Sequence, residues 1–389
     1  MREFGVEEEK IGIATFHCAE NYGAFLQAFA LSKWIQDRTL LKVMVVNYRP
    51  EYLLEPYKIC FKKRLAANMP FPRKCKAFIS FCVEVPYRLV RKRKFKKAEA
   101  LLPLTGKYVS AEFKLDASYK GIILGSDQIW NTSLTQGLDP VYWGGTVSEP
   151  CKKIAYAASI GLSEYPNEIK EKAAEMFAQI DYIGVREEAS VDLIQSMLKK
   201  QVMVNVDPVM LVGRDFWHRY ECHVAIDNYI LVYCVRNNPY IMQDAYRLAK
   251  MYNKRILHFG DPSIRAIFPD IEVHSLSYCG PFDFISYISQ ADIILTDSFH
   301  AMCFSIIYNR RFFVYLNKTR SERLLTLATI GKCSDRLIEW GGHLRDENIQ
   351  CAFSPAKDYY ENFYYKREES QEYLLSAMKG LINETDKNG

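Results

Sequence analysis

The stretch from Ala291 to Leu316 carries the densest chemical signal in the chain. An apolar run, ADIIL, leads into TDSFHA, then the apolar CFSIIYN, then a second apolar run, RFFVYL. The pattern predicts a buried strand, a helix and another strand. Thr296, Asp297, Ser298 and His300 then fall at the carboxyl end of the strand and the amino end of the helix. Such a corner attracts anions, because helix N–H groups and the helix dipole converge there. An imidazole in that position can give or take a proton near neutral pH. Other strand-like runs end in polar clusters of their own: Asn21 and Tyr22 after IGIATF, Ser126, Asp127, Gln128 and Asn131 in GIILGSDQIWN, and Arg186 after YIGV. Arg323 opens the amphipathic run SERLLTLATIG. Arginine suits bidentate recognition of carboxylate or phosphate. The set implies an anionic substrate with one proton transferred.

Each residue also has a plainer role open to it. Arg186 could pair with a helix carboxylate, His300 could cap its helix and satisfy Asp297, and Asp127 and Asn131 could be turn residues. The other histidines lack motif context; His17, which opens the first strand–helix loop, is the likeliest exception among them. HxH, HExxH, CxxC and DxD are all absent from the sequence, so no metal site and no metal cofactor is expected. Walker A and GxGxxG are absent too, which argues against a P-loop or a standard dinucleotide site.

The elements that must position these groups alternate in type. IGIATF, the amphipathic AFLQAFALSKWIQD and VMVVNY make a complete βαβ unit. After an interruption over 50–105, strand-like runs resume at 121–131, 153–161, 182–190 and 202–211, with helical patterns between them. The alternation starts afresh with YILVYCV, RILHFG, ADIILTDS and RFFVYL, and ends in the charged helix EESQEYLLSAMKGLIN. The expected fold class is α/β, with two doubly wound Rossmann-like domains facing a cleft: an N-terminal domain over 1–206, including the insertion 50–105, and a C-terminal domain over 207–389 with the last helix. Asp207-Pro208 marks the exit from the first, and the boundary is expected between about 206 and 228.

The length of 389 residues suits two such domains, and 49% apolar with 25% charged residues is ordinary soluble composition. No apolar run reaches the roughly 18 residues of a membrane span, and MREFGVEEEK does not resemble a signal peptide, so a cytoplasmic location is expected. The eleven cysteines are odd in number and sit mostly inside apolar runs, as buried reduced thiols would. The net charge of +5 conceals an asymmetry: residues 58–97 hold 14 Lys and Arg against the single Glu84, while the remainder carries an excess of eight acidic residues. That basic segment is interleaved with phenylalanines. It fits a solvated helical insertion or a foot on an anionic membrane face better than a nucleic-acid surface, since no nucleic-acid fold accompanies it.

Seven blocks in order, NYGAFLQAFAL, GSDQIWN, YAASIG, VREEAS, VDPVML, ADIILTDSFHAMCFSIIYNRRFFVYLN and SERLLTLATIG, resemble the polysaccharide pyruvyl transferase family over about residues 11 to 340. The resemblance implies a GT-B-like fold, phosphoenolpyruvate as co-substrate and no cofactor. It implies as acceptor a sugar of a growing cell-surface glycan, expected to be lipid-linked, and as product a pyruvate ketal bridging two hydroxyls. By motif, the family's catalytic histidine falls on His300 and its donor-binding arginine on Arg186. Ser298, Arg323 and Asn21 complete the expected donor contacts, with the C-terminal domain as the donor side and the N-terminal domain as the acceptor side. Asp127 is the expected base or orienter, with Asn21, Tyr22, Gln128 and Asn131 around the acceptor. Two departures stand out: NYGA replaces a glycine-rich loop of better-known branches, and Ser298 stands where they tend to carry arginine. The alternatives are a GT-B glycosyltransferase using a nucleotide-activated sugar, or a non-catalytic glycan-binding subunit.

Overall fold

The computed structural model describes residues 8–61, 70–236, 238–260, 270–318, 321–353 and 358–382, so part of the basic segment, 62–69, lies outside the described residues. The chain forms two compact units, each assembled from separate stretches.

The first unit takes the described residues up to Pro56, those from Glu99 to Gly213, and those from Phe363 onward. Its strands are β1 (Lys10–Ala14), β2 (Lys42–Val45), β3 (Tyr119–Leu124), β4 (Lys152–Ala158), β5 (Tyr182–Val185) and β6 (Val202–Val204). They form one parallel sheet in the order β2-β1-β3-β4-β5-β6. The runs are rich in Ile and Val and buried on both faces, as a parallel sheet covered by helices requires. The order reverses direction between β1 and β3, so the loops leaving those two strands flank the switch point where open α/β sheets bind ligands. Asn21 starts the helix Tyr22–Gln36 by accepting from Ala24 N at 3.2 Å. That helix is buried on nearly every side, Gln27 and Ser32 included, rather than on one face. Trp130, Trp143 and Phe177 pack together beside the sheet, with ring centroids 4.7 to 5.3 Å apart.

The second unit takes Tyr57 to Ala98 and Arg214 to Asn362. Its strands are β7 (Tyr229–Tyr233), β8 (Arg255–His258), β9 (Val273–Ser275), β10 (Ile293–Thr296), β11 (Arg311–Tyr315) and β12 (Leu337–Ile338). All pair in parallel, in the order β12-β11-β10-β7-β8-β9. Counted from β7 this is the 3-2-1-4-5-6 arrangement of dinucleotide-binding folds, with its switch point between β7 and β10. Ile294 lies between Leu231 and Phe312 in register, at the centre of the sheet.

The division differs from the sequence expectation in two memberships. The basic segment was expected in the first half, yet its helix Phe71–Glu99 lies with the second unit through residue 98. Lys94 pairs with Asp283 at 2.8 Å, Tyr87 faces Tyr278 at 6.3 Å, and Phe95 is buried. The last helix, Tyr364–Ile382, was expected in the second half and lies on the first sheet. There Tyr373 donates to Ala155 O at 2.8 Å, and Val206 N donates to Ser370 Oγ at 3.0 Å. Gly184 admits it: a Cβ there would stand 2.8 Å from the Tyr373 ring. Packing outranks sequence proximity in both cases. The chain passes from the first unit to the second after Gly213. Among the described residues no helix is long and apolar enough to cross a membrane, and ten cysteines are free thiols, with Cys75, Cys82 and Cys222 exposed.

Candidate functional site

In the first unit, the loops after β1, β3, β4 and β5 are tied into one hydrogen-bonded corner. Gln27 donates to Thr15 Oγ1 at 2.9 Å and to Phe16 O at 3.0 Å, and its Oε1 accepts from Ser126 N at 3.2 Å. One buried amide thus clamps both sides of the switch point. Asp127 follows at φ 72°, a left-handed conformation that aspartate tolerates better than most residues. Its Oδ1 accepts from Gln128 N at 2.8 Å.

Arg186 lies under this loop, its side chain 1% exposed. Nη1 donates to Asp207 Oδ2 at 2.6 Å, and Nη2 stands 3.5 Å from Asp127 Oδ1. Burial works against its charge, but Asp207, Asp127 and Glu187 outweigh burial and hold its pKa above the ordinary value. Asp207 also accepts from Ser126 Oγ at 3.2 Å and caps Val209 N at 3.0 Å. Glu187 Oε1 takes the next loop, accepting from Ser159 Oγ at 2.9 Å, Ile160 N at 3.1 Å and Ser190 Oγ at 2.6 Å. The pairing of Arg186 with a carboxylate, open from the sequence, is therefore what the structure contains, with Asp207 rather than a helix carboxylate as its partner.

The expected acceptor residues separate by depth. Asp127, Gln128 and Asn21 are half-buried at the loop ends. Tyr22 and Asn131 are 1% and 0% exposed, too deep to touch a sugar. Asn131 instead caps Ser133 N at 3.1 Å and donates to Gln128 Oε1 at 3.0 Å. His17 is buried as well, with Nδ1 3.3 Å from Thr15 O and Nε2 3.3 Å from Asn47 Oδ1, and burial lowers its pKa.

In the second unit, the expected strand–helix corner is formed as read. Thr296 ends β10, and Ser298 caps the helix Phe299–Ile307, accepting from Ala301 N at 3.4 Å. Thr296 Oγ1 donates to Tyr233 O at 2.6 Å and accepts from Ser298 N at 3.0 Å, which stitches the end of β10 to β7. Asp297 reaches across the same switch point, accepting from Val235 N at 2.6 Å and Arg236 N at 3.0 Å. Burial pushes its carboxyl above the usual range in spite of these amides, and burial raises the neighbouring Cys234 thiol to about 12. His300 is the second residue of the helix, 8% exposed, its ring edge-on to Phe299 at 5.3 Å. The Arg323 guanidinium lies over the same Phe299 ring at 5.7 Å. His300 and Arg323 thus share one aromatic neighbour, in the residue that follows the Ser298 cap.

The sequence reading passed over four participants. Asp207 stands at a strand end, Glu187 at a helix start and Gln27 inside an otherwise apolar helix, positions that carry no motif. Arg236, half-buried directly after β7, went unremarked. The available signal was position: a charge or amide placed at the end of a buried strand, or on a helix buried all round. Among the described residues no three His, Cys, Asp or Glu side chains could hold a metal ion together.

No curated protein matches the chain. Among solved structures, a putative UDP-N-acetylglucosamine 2-epimerase from Listeria monocytogenes is similar at 12% identity and TM-score 0.52, over 96% of this chain and 98% of that one. S. aureus MnaA, solved with UDP, is similar at 14% identity and TM-score 0.50, over 95% of this chain and 97% of that one. At such identities the likeness establishes the fold alone, which is two-domain and GT-B-like. The sequence model of the polysaccharide pyruvyl transferase family matches residues 21–319, from the Asn21 cap past the TDSFHA corner. With most of its length matched, and both corners within the match, the chain belongs to the polysaccharide pyruvyl transferase family, a family of transferases.

Proposed function

We propose that this transferase moves the enolpyruvyl group of phosphoenolpyruvate onto two hydroxyls of a sugar in cell-surface polysaccharide biosynthesis, on a lipid-linked acceptor. The observation that carries this reading is the β10 corner, where a histidine sits in the first turn of a capped helix at a topological switch point and shares the Phe299 ring with an arginine. Phosphoenolpyruvate has a carboxylate and a phosphate next to an electron-rich methylene carbon. Protonation of that carbon leaves an oxocarbenium-like centre at the adjacent carbon. One sugar hydroxyl attacks there, phosphate departs with its bridging oxygen, and the second hydroxyl closes the ketal as both hydroxyl protons are lost. The protein must supply an acid, fixed positive charge and orientation.

In this scheme His300 gives the proton to the methylene carbon or to the departing phosphate. The helix end at Ser298, with Arg323 and Arg236, holds the anionic groups. Asp127 receives or orients a hydroxyl proton, with Asn21 and Gln128 as further polar contacts. Arg186 acts through Asp127 as a positioning residue, because its own charge is committed to Asp207 and Asp127 inside the fold. This moves it from donor binding, where the family resemblance put it, to support of the base.

The test is thermal unfolding against phosphoenolpyruvate, with UDP, GDP and CMP as comparators, since a ligand of the folded state raises the melting temperature by mass action. Phosphoenolpyruvate should shift the midpoint. His300→Ala should keep that shift yet lower phosphate release with acceptor present by about a hundredfold or more. A shift with a nucleotide and none with phosphoenolpyruvate would transfer the assignment to glycosyl transfer on the same fold.

A further inference from the structure

The helix Phe71–Glu99 has two dissimilar faces. Its inner face is anchored in the second unit: Arg88 donates to Tyr57 O at 3.1 Å, Lys94 pairs with Asp283, and Phe95 is buried. Its outer face is apolar and open. Phe71 is 77% exposed and Ile79 64%, and Phe78, Val83, Leu89 and Val90 are exposed as well. These positions, with Cys75, Cys82 and Pro86 between them, recur every three or four residues. They therefore form one stripe on one side of the helix, about 28 Å long at the ordinary helical rise.

Scattered exposed apolar residues are normal, but a continuous stripe of this length marks a surface that meets something. The charge around the stripe restricts what that is. Arg73 and Lys74 flank its start, and Lys92, Arg93, Lys96 and Lys97 continue the same exposed side beyond its end. Over the whole helix Glu84 and Glu99 are the only acids. A second copy of so basic a helix would be repelled, whereas a surface that is apolar just beneath an anionic layer matches both parts. Long Lys and Arg stems can lie along the apolar region while their heads reach the anionic groups.

We propose that this helix docks the protein on an anionic lipid bilayer, lying in the interface plane with Phe71 to Val90 in the acyl boundary and Lys92 to Lys97 on the headgroups. The docking does not depend on the chemistry proposed above. It would be read by binding alone, so its failure would leave the transfer reading intact.

The experiment is co-sedimentation of the purified full chain with phosphatidylcholine vesicles, with and without about a third phosphatidylglycerol, in about 50 mM and about 500 mM salt. Wild type should partition onto the anionic vesicles in low salt and at least about tenfold less in high salt. Phe78→Asp with Ile79→Asp should lower partition at least about tenfold in both. Changing Lys92, Arg93, Lys96 and Lys97 to Gln should remove most of the salt dependence. Ile79 and the four cations are exposed, Phe78 also packs edge-on against Phe61 at 5.2 Å, and an unchanged melting temperature verifies folding of each variant. Equal partition onto neutral vesicles, or none onto anionic ones in low salt, would overturn the proposal. So would a wild-type dimer that Ile79→Asp makes monomeric without any lipid binding, which would reassign the stripe to contact between copies.

Discussion

The corner of the first unit and the corner of the second occupy equivalent places in similar sheets, but their charge is organised in opposite ways. In the first, three carboxylates, Asp127, Asp207 and Glu187, surround the single cation Arg186 and leave a local excess of negative charge. In the second, Asp297 is absorbed by backbone amides of the β7 loop. Arg236, Arg323 and a helix amino end accompany it. An acidic, internally clamped corner suits removal of a proton from a neutral hydroxyl. A basic corner held by backbone hydrogen bonds suits an anionic donor. Under the proposed chemistry, one sheet architecture would serve two electrostatic tasks, with the choice made by a few residues at the strand ends.

The comparison is broken most severely at Arg186. Arg186→Ala leaves Asp207 and Asp127 without their cation inside the fold, which should cost about 3–5 kcal/mol, read as a lower urea midpoint. Arg323→Ala should cost less than about 1 kcal/mol, since a half-buried cation on a ring contributes modestly. Near-equal losses would show that the first corner is not the self-neutralised one. Arg323→Ala should instead raise the phosphoenolpyruvate concentration for a half-maximal thermal shift by about tenfold, the worth of one charged contact. If Arg186→Ala raises that concentration while stability holds, the donor belongs with Arg186 after all.

A further effect, confined to acid pH, concerns His17 in the first corner. Its folded pKa is lowered by burial, so the unfolded chain takes up a proton more readily. Stability is fully present above the ordinary imidazole value of 6.5 and is lost as pH falls below it. The loss runs at about 1.4 kcal/mol per pH unit while the folded ring stays neutral. In His17→Asn the melting temperature should fall less steeply over that window. Parallel profiles would mean that the ring takes up its proton equally in the folded and unfolded chain.

Much of this was legible in the sequence for a simple reason. Strands buried on both faces, such as ADIIL and YILVYCV, must be uniformly apolar, and a capping side chain such as Ser298 marks the start of a following helix. The short β9 and β12 were not foreseen, because two or three residues carry no periodicity. Nor could the partnership of Arg186 with Asp207 be read, since they lie 21 residues apart and meet only when β5 and β6 pair. Depth was equally invisible at Tyr22 and Asn131. A polar letter at a strand end looks the same whether it faces solvent or caps a turn from within.

The exchange of segments between the units bears on the order in which the protein can be made. The stretch that joins the second sheet, 57–98, is synthesised before any strand of that sheet exists. The helix that covers the first sheet is synthesised after the whole of the second unit. At ordinary ribosomal speeds Phe363 follows Gly213 by roughly eight to thirty seconds. Until then Ala155 O and Val206 N lack the Tyr373 and Ser370 hydroxyls that satisfy them. The first unit therefore cannot reach its final packing on the ribosome ahead of the second, and a gene cut after Gly213 would not yield two self-sufficient halves.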